Sequence, residues 1–304
     1  MTSLLLFMGC LRNDRIRLSK NSFEHPSDSL LESEYKIERI NIETSGVRVF
    51  AFDSNDSLFF ANFLKDGVVG KVVSGQTQPP KSFIDLSEWL TSFIDRKPRI
   101  EAIEIDDDNR LLIAESGTGK LLRVSADARK LEILADSYDG YGFGIVKDLA
   151  AGKNGDLFVS SPYSGSVFRV RPEAGYVGVL NKDLIHVEYL SINPDGTKLV
   201  ASEADSSRVV VFDLSEDLLP ISSWTLVDFS PSKIEPKGLT FDDDGFLYVA
   251  LGDYGEIRVY DLKQGTELKT IKVGGPAESI IFHNGFIYLC GGRGIYRICL
   301  PARI

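Results

Sequence analysis

The chain has 304 residues, 43% hydrophobic and 26% charged, with 27 Gly and 12 Pro, a composition that supports a sizeable core and excludes disordered or collagen-like structure. Its 34 basic and 44 acidic residues leave a formal charge of −10, the wrong sign for a nucleic-acid or anionic-membrane partner. No stretch approaches the ~18–20 consecutive apolar residues that cross a bilayer, so no transmembrane span is expected.

The first element is a short apolar run, MTSLLLFMGC, followed by the polar stretch LRNDRIRLSKNSFEHPSDSLLESE. Gly9-Cys10 after an apolar run resembles the end of a bacterial lipoprotein signal, which makes Cys10 the lipidation candidate and residues 1–32 a signal-like segment with a polar tether. The run lacks a preceding Lys or Arg, so a frayed cytoplasmic tail is the competing reading. An extracytoplasmic, lipid-anchored location goes with the first reading.

From Tyr35 onward the pattern is β. YKIERINI (35–42) has β-branched alternation, and after it one unit recurs six times: RVFAFDSNDSLFFA, EAIEIDDDNRLLIA, KDLAAGKNGDLFVS, EYLSINPDGTKLVA, KGLTFDDDGFLYVA and ESIIFHNGFIYLC, opening at 48, 101, 147, 188, 237 and 278. Each unit reads as a strand, an Asp/Asn/Gly turn and a second strand. A second hairpin and a last strand follow, giving four strands in the ~40–50 residues of a propeller blade. The sixth unit runs out of chain after its third strand, so 35–42 is expected to supply its outer strand and close the ring. The prediction is one all-β domain over 33–304, a monomeric six-bladed β-propeller with four-stranded antiparallel blades. One helix is expected, over Leu86–Ile94. Cys290 and Cys299 fall in one hairpin, out of bridging register with each other, and are read as free core thiols.

The fourth and fifth units, SINPDGTKLVASEADSSRVVVFDL and GLTFDDDGFLYVALGDYGEIRVYDL, resemble the regucalcin/gluconolactonase superfamily of six-bladed propellers, and more loosely NHL-repeat and strictosidine-synthase-like propellers. The resemblance covers roughly residues 40–300 and implies a hydrolase, a lactonase or esterase, with calcium or another divalent cation on the central axis. In that family a Glu, two Asn and an Asp hold the metal. Those positions match Arg48, Lys147, Glu188 and Lys237, of which only Glu188 suits a cation. No cofactor is therefore expected, and calcium stands as the alternative.

Around all six units the opening position reads Arg48, Glu101, Lys147, Glu188, Lys237 and Glu278, alternating in sign. Six equivalent positions at the start of innermost strands should encircle a tunnel mouth, and a closed ring of salt bridges is expected there. These six residues are also the candidate ligand-binding set, with Tyr141 and Tyr163 on the surrounding connections. Candidate acid/base residues are Glu188, Glu278 and His186, the last two positions before Glu188 and so on the same face of an extended segment.

Two loops carry aromatics near this face: 77–98 with Trp89, and DSYDGYGFGI with Tyr138, Tyr141 and Phe143. They suit either a rim over a ligand or a plug in the mouth. Glu203, Asp253 and Arg293 are further wall candidates, and His283 is assigned to a structural turn at the opposite end. The leading reading is a metal-free ligand-binding or interaction propeller for a small polar or anionic molecule, or for a protein at its rim. The alternative is a gluconolactonase-like hydrolase, or a metal-free lyase or cyclase using a pocket Glu.

Overall fold

The computed structural model describes residues 35–40, 47–75, 78–90, 96–291 and 294–300. Cys10, His25 and Arg293 lie outside them. The repeated turn Asp explains the regularity of the first hairpins. Asp53 Oδ1 accepts the N–H groups of Asn55 and Ser57 at 3.0 and 2.8 Å, and Asp106 Oδ1 those of Asp108 and Arg110 at 3.1 and 2.9 Å. Asp242 repeats this with Asp244 and Phe246 at 3.1 and 2.9 Å. A carboxylate that satisfies two turn amides fixes the hairpin locally.

The hairpins assemble into six four-stranded antiparallel sheets, the six blades. Blade one is Phe50–Phe52, Leu58–Ala61, Val68–Val72 and Lys81–Asp85; blade two is Ile100–Ile105, Leu111–Glu115, Lys120–Val124 and Leu131–Ala135. Blade three is Leu149–Ala151, Leu157–Ser161, Ser166–Arg171 and Tyr176–Asn181; blade four is Val187–Ile192, Lys198–Glu203, Arg208–Leu214 and Pro220–Asp228. Blade five is Leu239–Phe241, Phe246–Ala250, Glu256–Asp261 and Thr266–Lys272. Blade six takes Ser279–His283, Phe286–Gly291 and Gly294–Cys299 from the end of the chain and Ile37–Ile40 from its beginning. That closure pairs Glu38 with Arg297 and Ile40 with Ile295, as the alternation in 35–42 predicts.

The core lies between neighbouring blades, and alternate residues of each innermost strand serve different interfaces. Phe50 and Phe52 of blade one join Phe286 and Tyr288 of blade six, whereas Ala51 joins Ile103 and Ile113 of blade two. Successive side chains thus lean toward the preceding blade and then toward the following one. This lean decides how the polar residues of the tunnel meet.

Two expectations need correction. Leu86–Glu88 forms a single 3-10 turn, N-capped by the Asp85 carboxylate, rather than a helix to Ile94; residues 91–95 lie outside the described residues. Cys290 is a buried free thiol, but Cys299 is disulfide-bonded rather than free. Among the described residues no helix is long and apolar enough to cross a membrane.

Candidate functional site

A tunnel of about 440 Å³ runs along the axis, walled by the innermost strands of all six blades. Arg48, Arg99, Glu101, Lys147 and Glu278 line its charged end, and Phe52, Ile105, Ile192, Phe241 and Phe282 its far end. Three of the six alternating charges are cations, and each meets one carboxylate of the set, Lys237 also holding Glu235 at 2.8 Å. Arg48 Nε lies 3.5 Å from Glu278, Lys147 Nζ 3.1 Å from Glu101 and Lys237 Nζ 3.8 Å from Glu188.

The expected closed ring is therefore replaced by three separate pairs, and the lean of the strands gives the reason. At this position the three cations point toward the preceding blade, so each long side chain reaches back to the carboxylate behind it. Among the described residues no ion pair joins Arg48 to Glu101, Lys147 to Glu188 or Lys237 to Glu278. Lys237 still feels Glu278: burial alone would lower its pKa, but the Glu235 hydrogen bond and the charges of Glu188, Glu235 and Glu278 carry it above its ordinary value. Glu101 serves a second cation as well, Arg99 at 2.8 Å, which leaves a surplus positive charge at that corner of the mouth.

Glu188 and Lys237 lie outside the tunnel wall, in a cluster over blades three to five. His186 Nε2 stands 3.6 Å from Glu188 Oε1 and Nδ1 3.6 Å from Asp205 Oδ2, with the Tyr163 ring edge-on at 5.9 Å. His186 adopts φ +53°, a left-handed turn conformation that lifts the ring toward these acids. The expected His186–Glu188 proximity is thus present. Glu278 has no such histidine beside it among the described residues.

Tyr141 and Tyr163 are each 79% exposed and neither is on the tunnel wall. Phe143 is buried against Phe168 of blade three rather than plugging the mouth, and Tyr138 leans on the same ring. Glu203 is no pocket wall. It is fully buried, accepts the Ile185 N–H at 2.6 Å and pairs with Arg208. Glu115 does the same work in blade two, accepting the N–H groups of Arg99 and Gly117 at 2.8 and 2.6 Å. Asp253 is exposed. His283 occupies the opposite end, stacked on Phe52 at 4.5 Å with Nε2 2.9 Å from Asp56 Oδ1.

Sequence reasoning missed the residues inside the tunnel. Glu104 of blade two accepts the Ala151 N–H of blade three at 2.7 Å, and Asp148 accepts the Leu190 N–H of blade four at 2.8 Å. Thr240 of blade five takes the Phe282 N–H of blade six at 3.1 Å. These bonds satisfy inner-edge amides that have no strand beyond them. Burial pushes Glu104 up to about 8 against the Ala151 bond, with Asp148 and Asp106 adding to the rise. It pushes Asp148 up to about 7 against its bonds to Leu190 and Leu149 and the charge of Lys147. The Tyr189 phenol, raised by burial and then by Glu188 and Asp148, completes the wall, with Lys147 Nζ 5.6 Å from its ring centroid. Beside the mouth, Cys290 donates its thiol to the Arg48 carbonyl at 2.9 Å, and burial pushes it up to about 12.

The donor set at the mouth does not fit the divalent cation that the family resemblance implies. Of the four matching positions, Arg48, Lys147 and Lys237 present protonated nitrogens without a free lone pair, each already held by a carboxylate. A hard cation asks for about six to eight oxygens, and this place supplies the Glu188 carboxylate alone among those four.

A family model described as the SMP-30/Gluconolactonase/LRE-like region matches residues 85–285. A gluconolactonase of Zymomonas mobilis is 26% identical over 179 residues, 51% of this chain and 50% of that protein. The Arabidopsis thaliana protein STRICTOSIDINE SYNTHASE-LIKE 7 is 25% identical over 159 residues, 46% of this chain and 41% of its own. The chain spans about half the length of the curated relatives it matches. A solved gluconolactonase from Xanthomonas campestris shares the fold with a TM-score of 0.69 at 17% identity, over 91% of this chain and 94% of that one. With six four-stranded blades around one tunnel and a family match over most of them, the chain belongs to the SMP-30/gluconolactonase/LRE-like family of β-propellers.

Proposed function

We propose that the charged tunnel mouth is a metal-free recognition site for a small polar or anionic molecule, and that the protein acts as a ligand-binding member of its family. The observation that carries this reading is the placement of Arg48, Arg99 and Lys147 on the tunnel wall, where they outnumber the two mouth carboxylates Glu101 and Glu278. Cations already held in place by carboxylates lose little freedom when an anion arrives, which favours binding. A pocket of this size with a few convergent charges suits a small molecule.

The test is a thermal melt with small carboxylates and lactones, and separately with calcium, zinc or EDTA. A ligand that binds only the native state at a hundredfold excess over Kd adds about 2.7 kcal/mol, a clear rise in midpoint. The expected result is stabilisation by a carboxylate, lost in Lys147→Gln, with no response to metal or EDTA. A midpoint raised by calcium and lowered by EDTA would restore a metal-dependent lactonase.

A second reading has its own observation, the contact of His186 with Glu188 beside Lys237, and it agrees with the gluconolactonase relatives. Here Glu188 is the general base of a hydrolase or lyase and His186 orients it. Lactone hydrolysis that falls about a hundredfold in Glu188→Gln and survives EDTA would favour this reading.

A further inference from the structure

Inside the mouth, the tunnel wall carries a carboxyl group that no cation among the described residues answers. Glu104 spends one oxygen on the Ala151 N–H at 2.7 Å, and its other oxygen has no hydrogen-bond partner among the described residues. The side chain is half-buried, and its open oxygen faces the tunnel that it lines. The charged groups it feels are Asp148 and Asp106, both acids. Asp148, on the same wall, has Lys147 nearby, but that ammonium reaches back to Glu101. The axis therefore runs from surplus positive charge at Arg99 and Lys147 to unanswered acid groups deeper in.

We propose that this stretch is an ammonium site: the molecule recognised at the mouth carries an amine that docks between Glu104 and Asp148 while its anionic end meets Arg48, Arg99 and Lys147. The inference rests on the mouth being a recognition site, and it narrows the ligand to a zwitterion. Glu101 and Glu104 are three residues apart on an extended strand, so the two charges of the ligand stand at most about 10 Å apart. An ammonium supplies the opposite charge that a desolvated carboxylate needs and donates to the open oxygen of Glu104.

Binding is linked to protons. Burial holds Glu104 well above the ordinary carboxylate range, so near neutrality the empty site keeps its proton. An arriving ammonium favours the ionised acid, so a proton leaves and affinity rises with pH, by roughly fiftyfold between pH 6 and pH 8.

The experiment is calorimetric titration of the full chain with 6-aminohexanoate, hexanoate, hexylammonium and calcium chloride at both pH values. The wild-type protein should bind 6-aminohexanoate at least roughly tenfold more tightly than hexanoate, with the gap widening at pH 8. Glu104→Gln keeps an oxygen for the Ala151 N–H and removes the charge, so it should abolish the gap and leave hexanoate binding unchanged. Asp148→Asn is the second variant, with the same expectation. Equal binding of hexanoate and 6-aminohexanoate overturns the ammonium site while leaving the mouth reading intact, and binding of neither overturns both. Heat from calcium but none from hexylammonium or 6-aminohexanoate gives the carboxyls to a metal ion and also overturns the proposal.

Discussion

Lys147 of blade three and Glu101 of blade two meet at 3.1 Å with side chains 24% and 11% exposed, so the ion pair sits half inside the tunnel mouth. The corresponding pair between the first and last blades, Arg48 and Glu278, meets at 3.5 Å with 77% and 33% exposed. Solvent screens an exposed pair to near zero, whereas an enclosed one retains its coupling. Double-mutant cycles should return about 1–2 kcal/mol for Lys147–Glu101 and under about 0.5 kcal/mol for Arg48–Glu278. For Lys237 the larger coupling should be to Glu188, the residue behind it, and a dominant coupling to Glu278 would contradict the common lean of the three cations.

Glu115 is fully buried and takes the N–H groups of Arg99, Gly117 and Thr118. Glu115→Ala strands those donors without water, at a cost of about 3 kcal/mol or more, whereas changes at exposed Asp253 should fall within about 0.5 kcal/mol. Chemical denaturation of the two variants checks the contrast. A mild Glu115 variant would mean that water replaces the carboxylate.

Glu104 and Asp148 make stability depend on pH in an unusual direction. Their ordinary values are 4.5 and 3.8, and burial raises them to about 8 and about 7. Between those limits the folded protein holds protons that the unfolded chain has released. Their contribution is therefore complete below about pH 4 and is lost as pH climbs to about 8. Denaturation midpoints taken from pH 5 to 9 should decline less steeply in Glu104→Gln than in the wild type, and parallel curves would refute the assignment.

Arg297 is buried, hydrogen-bonded to Glu38 across the closing strand pair, and stacked 4.6 Å from the Phe286 ring centroid. Burial would lower its pKa, but the Glu38 bond and charge hold it above the ordinary value, while the same contact helps to lower that of Glu38. Arg297→Met leaves Glu38 with Lys36 as its one cation among the described residues and should cost about 1–3 kcal/mol, partly recovered in Glu38→Gln/Arg297→Met. Equal stability of single and double variants would show that the pair is uncoupled.

The blades were legible because each repeats a turn that Asp, Asn and Gly enforce locally, and because Ile37–Ile40 alternates as an outer strand must. The register also gave Arg48, Glu101, Lys147, Glu188, Lys237 and Glu278 one equivalent position, and four of them, Arg48, Glu101, Lys147 and Glu278, line the tunnel. How they pair was not legible, since the cations' common lean toward the preceding blade follows from the three-dimensional twist of the sheets. Glu104 and Asp148 escaped notice for another reason. Their equivalents in other blades include Ala51, Ala150, Val49 and Gly238, so no repeated chemistry marks those positions. The sign of the mouth was written in the repeat, whereas the acidity of the interior belongs to two blades alone.

Pairing Ile37–Ile40 with Gly294–Cys299 joins segments about 260 residues apart in the chain. While the protein is being made, five blades can form in order as they emerge, but the sixth lacks its outer strand until the early segment swings back to it. Contacts so distant in sequence slow folding, so assembly should end with a late docking step that completes the ring. Until that step the flank of Gly294–Cys299 offers an unpaired edge to any other strand within reach, and crowding of nascent chains becomes the main hazard to its yield.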